Sequence, residues 1–149
     1  MANYKTASVV VLANATGTQV LTNAGSGTKL LWTEVADQTN YAQSASHLTN
    51  NTFTAPYAGF YNISVSLYFG SDITVSAGFI TLVKNSNLAS GIILYQGMGF
   101  IGAVRSASRV LQLAKGDTIS VYAAQTSGTD QTPDAVNTTL SIIRVGQPN

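Results

Sequence analysis

Ile63, Val65, Leu67 and Phe69 alternate residue by residue with Asn62, Ser64, Ser66 and Tyr68. A period of two places the first set on one face of an extended chain and the second set on the other. A helix, with its period of 3.6, would scatter the same residues around its axis. No segment of the 149 residues carries a sustained i, i+3, i+4, i+7 apolar stripe. Helical bundles, coiled coils and doubly wound α/β folds are therefore excluded, and a half-buried strand becomes the unit from which the chain is built.

Seven further runs read as strands: Val9 to Leu12, Leu30 to Val35, Val75 to Val83, Ile92 to Tyr95, Val110 to Leu113, Ile119 to Ala123 and Leu140 to Val145. They are rich in β-branched and aromatic residues and are separated by Gly, Asn, Ser and Asp clusters. Ala24-Gly25-Ser26-Gly27 punctuates the early part of the chain, and Asn85-Ser86-Asn87 suits a reversal because Asn tolerates left-handed backbone angles. Lys115-Gly116-Asp117, between two apolar runs, predicts a tight hairpin turn. Thr126 to Asn137, poor in large apolar residues and containing Pro133, predicts a long exposed loop. Many short strands without helices imply an antiparallel sandwich or barrel of one domain.

Charge narrows the function classes. Only 9% of the residues are charged, against about 25% in ordinary domains, and the net charge is +1 without any like-charge run. Nucleic-acid binding needs clustered Lys and Arg to displace phosphate counterions, so it is excluded, as is electrostatic steering of a charged substrate. The chain has no Cys and a single His, His47, which excludes thiolate chemistry and a multi-His metal centre. No Gly-x-Ser-x-Gly marks a nucleophile. No stretch approaches the ~20 apolar residues of a membrane-spanning helix.

Lys5, the apolar Ala7 to Ala13 and Ala13-Asn14-Ala15 have the outline of a short export leader, but the apolar part is at the lower limit, and a first β-strand is the preferred reading. Residues 1–28 are expected to form an N-terminal extension with anchoring strands, ahead of a domain over 29–149.

Asn51-Thr52-Phe53-Thr54-Ala55-Pro56-Tyr57-Ala58-Gly59-Phe60-Tyr61, leading into the alternating strand, resembles the Phe-x-x-Pro and Gly-x-Tyr hallmark of C1q-like domains. Leu82-Val83-Lys84-Asn85 is similar to that family's strand ending in Lys-Asn-Gly, with Ser86 in place of Gly. Leu111 to Ile119 is similar to its Leu-x-Leu-x-x-Gly-Asp segment, and Thr139 to Ile143 to its closing strand. The order is kept over about residues 30–146. The resemblance implies an antiparallel jelly-roll β-sandwich of the C1q/tumour-necrosis-factor type with ten strands, forming a homotrimer that binds or builds rather than catalyses. No collagen stalk precedes the matched segment, which departs from the family's extracellular-matrix setting.

Outward aromatics on a strand cover a neighbour or form an interface, so Tyr68 and Tyr122 are candidate trimer-interface residues, with scattered surface tyrosines as the alternative. Arg105 and Arg109 share one strand phase and are candidates for polar contacts between subunits, or else solvated edge charges. Asp130 and Asp134 share a loop; paired carboxylates can serve a glycosidase or bind calcium, yet their spacing matches no EF-hand, and turn formation is the plainer role. Asp117 is read as a turn former, His47 as a residue facing water, and Trp32 as packed in a core or interface. Met98 and Phe100, within Gly97 to Gly102, join Asp130 and Asp134 as candidate contact-loop residues.

No catalytic residue, cofactor or metal is expected. The function expected from these features is a virion structural protein, a trimeric capsid decoration (cement) protein of a bacteriophage displayed on the particle surface. Its expected partners are its own copies and the major capsid or other virion proteins, without nucleic acid or membrane. The alternatives are a receptor-binding fibre head contacting a host surface glycan or receptor, and a secreted, extracellular C1q-like lectin or ligand.

Overall fold

The computed structural model describes residues 10–17, 19–23, 27–35, 47–69, 74–101 and 104–147. Eleven strands run through them: β1 (Val10–Ala15), β2 (Thr28–Lys29), β3 (Trp32–Glu34), β4 (Leu48–Thr49), β5 (Thr52–Thr54), β6 (Gly59–Tyr68), β7 (Thr74–Lys84), β8 (Ile92–Ile101), β9 (Val104–Leu113), β10 (Thr118–Gln125) and β11 (Thr139–Gly146). The only described helix is the 3-10 turn Leu88–Ser90. A five-stranded sheet, β3-β1-β11-β6-β9, faces a six-stranded sheet made of β4-β5-β10-β7-β8 and of β2, which pairs with β10. Every pairing between these strands is antiparallel.

The period of two in the sequence becomes the division between core and surface. Along β6, Tyr61, Ile63, Val65 and Leu67 are buried while Phe60, Asn62, Ser64, Ser66 and Tyr68 are not. Ile119, Val121 and Ala123 of β10 meet them from the facing sheet with Phe53, Ile80 and Leu82, while Leu140 and Ile142 of β11 add to the same core from beside β6. The Phe53 and Tyr61 rings meet edge to face at 5.5 Å. The Tyr61 hydroxyl donates to the Tyr57 carbonyl at 2.7 Å, the partner a buried phenol requires.

Four expectations change. Lys115-Gly116-Asp117 is a turn, with Gly116 at φ +88°, but not a hairpin. β9 before it pairs with β6, and β10 after it with β5, β7 and β2, so the chain crosses between sheets there. Leu30 to Val35 is strand over only part of its length. Within it only β3 (Trp32–Glu34) is strand, paired with β1, while β2 just before it pairs with β10 of the other sheet, and Leu30 is fully buried at the crossing. The Gln19 side chain completes the switch, its Nε2 donating to the Leu31 carbonyl (3.0 Å) and its Oε1 accepting the Leu31 N–H (2.8 Å).

The division at residue 28 is not kept. β1 sits inside the five-stranded sheet between β3 and β11, with Val11 and Leu21 fully buried, because their side chains complete the core. Residues 1–9, 18 and 24–26 of the expected extension, the last being most of the Ala24-Gly25-Ser26-Gly27 turn, lie outside the described residues. Finally, Met98 and Phe100 lie in strand β8, paired with Ala77 and Val75, rather than in a contact loop. The ladder satisfies their backbone whatever the intervening glycines prefer.

Candidate interface on the five-stranded sheet

The outward side of the five-stranded sheet can be read row by row from its register. Leu12, Ser141, Ser64 and Ser108 form one row, and Asn14, Thr139, Ser66 and Ser106 the next. On the other side of the first row stand Ile143, Asn62 and Val110, and beyond them Phe60 and Gln112. Val145 follows Ile143 at the bulge in β11, between the pairs Arg144–Tyr61 and Gly146–Phe60. None of these outward side chains is charged.

The face has two parts. Phe60 (36% exposed), Ile143 (37%), Val110 (53%) and Val145 (57%) form an apolar band at one end, arranged around the half-buried Asn62, which stands between Ile143 and Val110. Next to it lies an open hollow of about 420 Å³, floored by Ser64, Ser66, Ser106, Ser108, Thr139 and Ser141. One pair of these hydroxyls, Ser106 and Ser66, is bonded across the strands at 2.9 Å. Contiguous exposed apolar groups on a sheet mark a surface built to be covered, whereas single ones do not.

The residues singled out from sequence are not brought together. Tyr68 lies half-buried on this outward face, where its backbone is held by Thr138 Oγ1 at 3.0 Å in both directions. Tyr122 lies on the opposite side of the sandwich, outward from the six-stranded sheet and paired with Lys29 and Thr81. Arg105 and Arg109 occupy the core-facing phase of β9, opposite Leu67 and Ile63. β9 ends the sheet order, and charges in the inward phase of an edge strand obstruct pairing with another chain.

Phe60, Val110, Ile143 and Val145 were not singled out from sequence, although the signal was present. Each falls on the polar phase of its own strand, and only the register shows that they are neighbours.

The loop carboxylates hold the loop. Asp134 Oδ1 accepts the N–H groups of Val136 (3.0 Å) and Asn137 (2.8 Å), and the Asn137 amide as well. Asp130 Oδ1 accepts the Asn23 N–H at 2.8 Å, while Asn23 Oδ1 accepts that of Gly128. Among the described residues no three His, Cys, Asp or Glu side chains gather as a metal site would require. Within Thr126 to Asn137, Pro133 is buried, and Gln131 bridges Leu21 through the backbone, while Gly128 to Asp130, Thr132, Val136 and Asn137 are exposed.

Asp117 closes the end of the sandwich nearer the apolar band. Its carboxylate meets Lys84 Nζ at 2.7 Å, accepts the Asn85 amide at 2.9 Å and accepts the Ala114 N–H at 2.8 Å. The Lys84 bond, followed by that of Asn85, holds its pKa down at about 2, against the usual 3.8. His47 is half-buried, edge-on to Phe53 at 6.5 Å. Trp32 is packed in the core, 7% exposed.

The sequence matches no protein-family model and no curated protein. In three dimensions the chain is similar to the Eiger TNF of S. frugiperda, with a TM-score of 0.64 at 10% identity over 95% of each chain. It is also similar to murine APRIL at pH 8.0 (TM-score 0.60, 16% identity) and at pH 8.5 (0.62, 13%), in both cases over 93% of this chain and 99% of that one. Likeness so low in sequence and so broad in coverage is likeness of fold: the chain is a jelly roll of the tumour-necrosis-factor type.

Proposed function

We propose that the protein is a non-catalytic homotrimeric head, assembled through the outward face of its five-stranded sheet and displayed on a virion as a capsid decoration protein. The observation that carries the assembly is the uncharged face with its band of Phe60, Val110, Ile143 and Val145. A surface without charge can meet copies of itself without like-charge repulsion, and apolar area removed from water drives association. The resemblance to trimeric C1q-like heads supplies the stoichiometry. Display on a particle is supported by the low charge and the small uncharged polar surface of the strands.

Light scattering after size exclusion tests the assembly. Three chains of 15.6 kDa predict about 47 kDa, and a monomer at every concentration refutes it. Mass spectrometry of purified particles tests the placement. Recovery of the chain in stoichiometric amount supports decoration, while its presence only in the medium as free trimer assigns it to the secreted ligands.

A further inference from the structure

The two parts of the outward face differ in what they can do when a second copy covers them. Phe60, Val110, Ile143 and Val145 offer carbon to carbon contact, and the one amide between them, Asn62, is already half-buried. The six hydroxyls beside them each carry a donor and two acceptors, and among them the structure shows one bond, Ser106 to Ser66. A neighbour that sealed them dry would leave most of that capacity unmet. Nor can small Ser and Thr side chains fill the hollow of about 420 Å³. The space is wide enough for several waters, each able to bond the hydroxyls that floor it.

We infer, building on the self-association proposed above, that copies of this chain grip one another through the apolar band alone and leave the hydroxyl-floored hollow filled with water. The band is the contact that determines affinity, and the hollow is a hydrated chamber between subunits. The absence of charge across the whole face fits this division. Its rim can approach another copy without burying an ion, while the chamber keeps its water through neutral hydroxyls.

Val110 and Ser108 are neighbours in one phase of β9, both exposed, which makes them a matched pair for the test. The variants Val110→Asp and Ser108→Gln are compared with the parent chain by sedimentation over a dilution series, with melting curves to establish that both fold. Val110→Asp should raise the concentration for half-dissociation about tenfold or more, as expected for a residue at the centre of a contact. Ser108→Gln, a larger neutral side chain in a wet space, should change it less than about threefold. Equal weakening by both variants would show that the hollow is sealed dry and overturn the inference. An unchanged trimer in both would place the contact elsewhere and overturn it too. A parent chain that is already monomeric would instead remove the self-association on which it rests.

Discussion

Lys84 Nζ stands 2.7 Å from Asp117 Oδ2, and this ion pair joins two segments 33 residues apart in sequence at one end of the sandwich. Asn85 bonds the same carboxylate, accepts the Thr118 N–H at 2.8 Å, and donates its own N–H to the Thr118 carbonyl at 3.0 Å. A third segment enters through Ala55, whose N–H donates to the Asp117 carbonyl and whose carbonyl accepts from Gly116, both at 2.8 Å. The motifs that resemble C1q-like domains thus meet in space. They are stitches that close the sandwich, which explains why they mark a fold rather than an activity.

Asp117→Asn should lower stability by about 1–3 kcal/mol, the range for losing charge-assisted bonds at a partly exposed carboxylate. The pH dependence follows from its lowered pKa. The unfolded chain takes up the proton near 3.8 and the folded chain only near 2, so the contribution is complete above about pH 4 and is lost as the pH falls through 2. Urea titrations at pH 7, 3.5 and 2 check both statements. The parent and variant should differ most at pH 7 and converge at pH 2.

Gly59→Ala should destabilise by about 1–3 kcal/mol through overpacking. A Cβ there would stand 2.6 Å from Arg144 Nε and 2.7 Å from the Gly146 carbonyl oxygen. The side chain is not free to retreat, since Arg144 donates to the Ala58 carbonyl at 2.7 Å and lies 5.5 Å from the centre of the Tyr57 ring. Chemical denaturation of Gly59→Ala reads the loss directly.

Gln125→Leu should cost about 1–3 kcal/mol, since it leaves the Ser127 N–H without its partner and takes one of two bonds from the Leu21 and Thr129 carbonyls, which keep Gln131 N–H and Ser127 Oγ. The buried Gln125 amide donates to the Leu21 carbonyl (3.0 Å) and the Thr129 carbonyl (2.9 Å), and its oxygen accepts the Ser127 N–H (2.8 Å). Hydrogen exchange should show faster exchange over residues 21–23 and 126–131, with little change at β6.

Sequence reasoning read the strands well and their partners poorly, for a physical reason. Alternation is local, so Ile63, Val65 and Leu67 announce their burial without reference to the rest of the chain. Which sheet a strand joins depends on contacts far away. Lys115-Gly116-Asp117 has all the chemistry of a turn, but nothing in it says that β10 leaves the sheet of β9. Gly97 and Gly99 look like loop punctuation, yet β8 runs through them because β7 supplies the hydrogen bonds. His47 sits among polar neighbours and still packs on Phe53, six residues later. The candidate face was hidden in the same way. Phe60 and Val145 lie 85 residues apart in the chain and are brought together only by the pairing of β11 with β6.

The position of β1 gives the clearest truncation test. A chain starting at residue 29 lacks a strand that pairs with both β11 and β3, and loses the fully buried Val11 and Leu21 together with Ala13 and Ala15. Burying a Val or Leu side chain contributes about 1.5–3 kcal/mol each, and the exposed flanks of β11 and β3 add unpaired backbone groups. The combined loss approaches the whole stability of an ordinary domain, about 5–15 kcal/mol. The truncated chain should therefore show no cooperative unfolding transition by circular dichroism and should collect in the insoluble fraction. A soluble product with a melting transition like that of the parent would mean that β1 is dispensable, and that the sandwich is completed by something other than its own first strand.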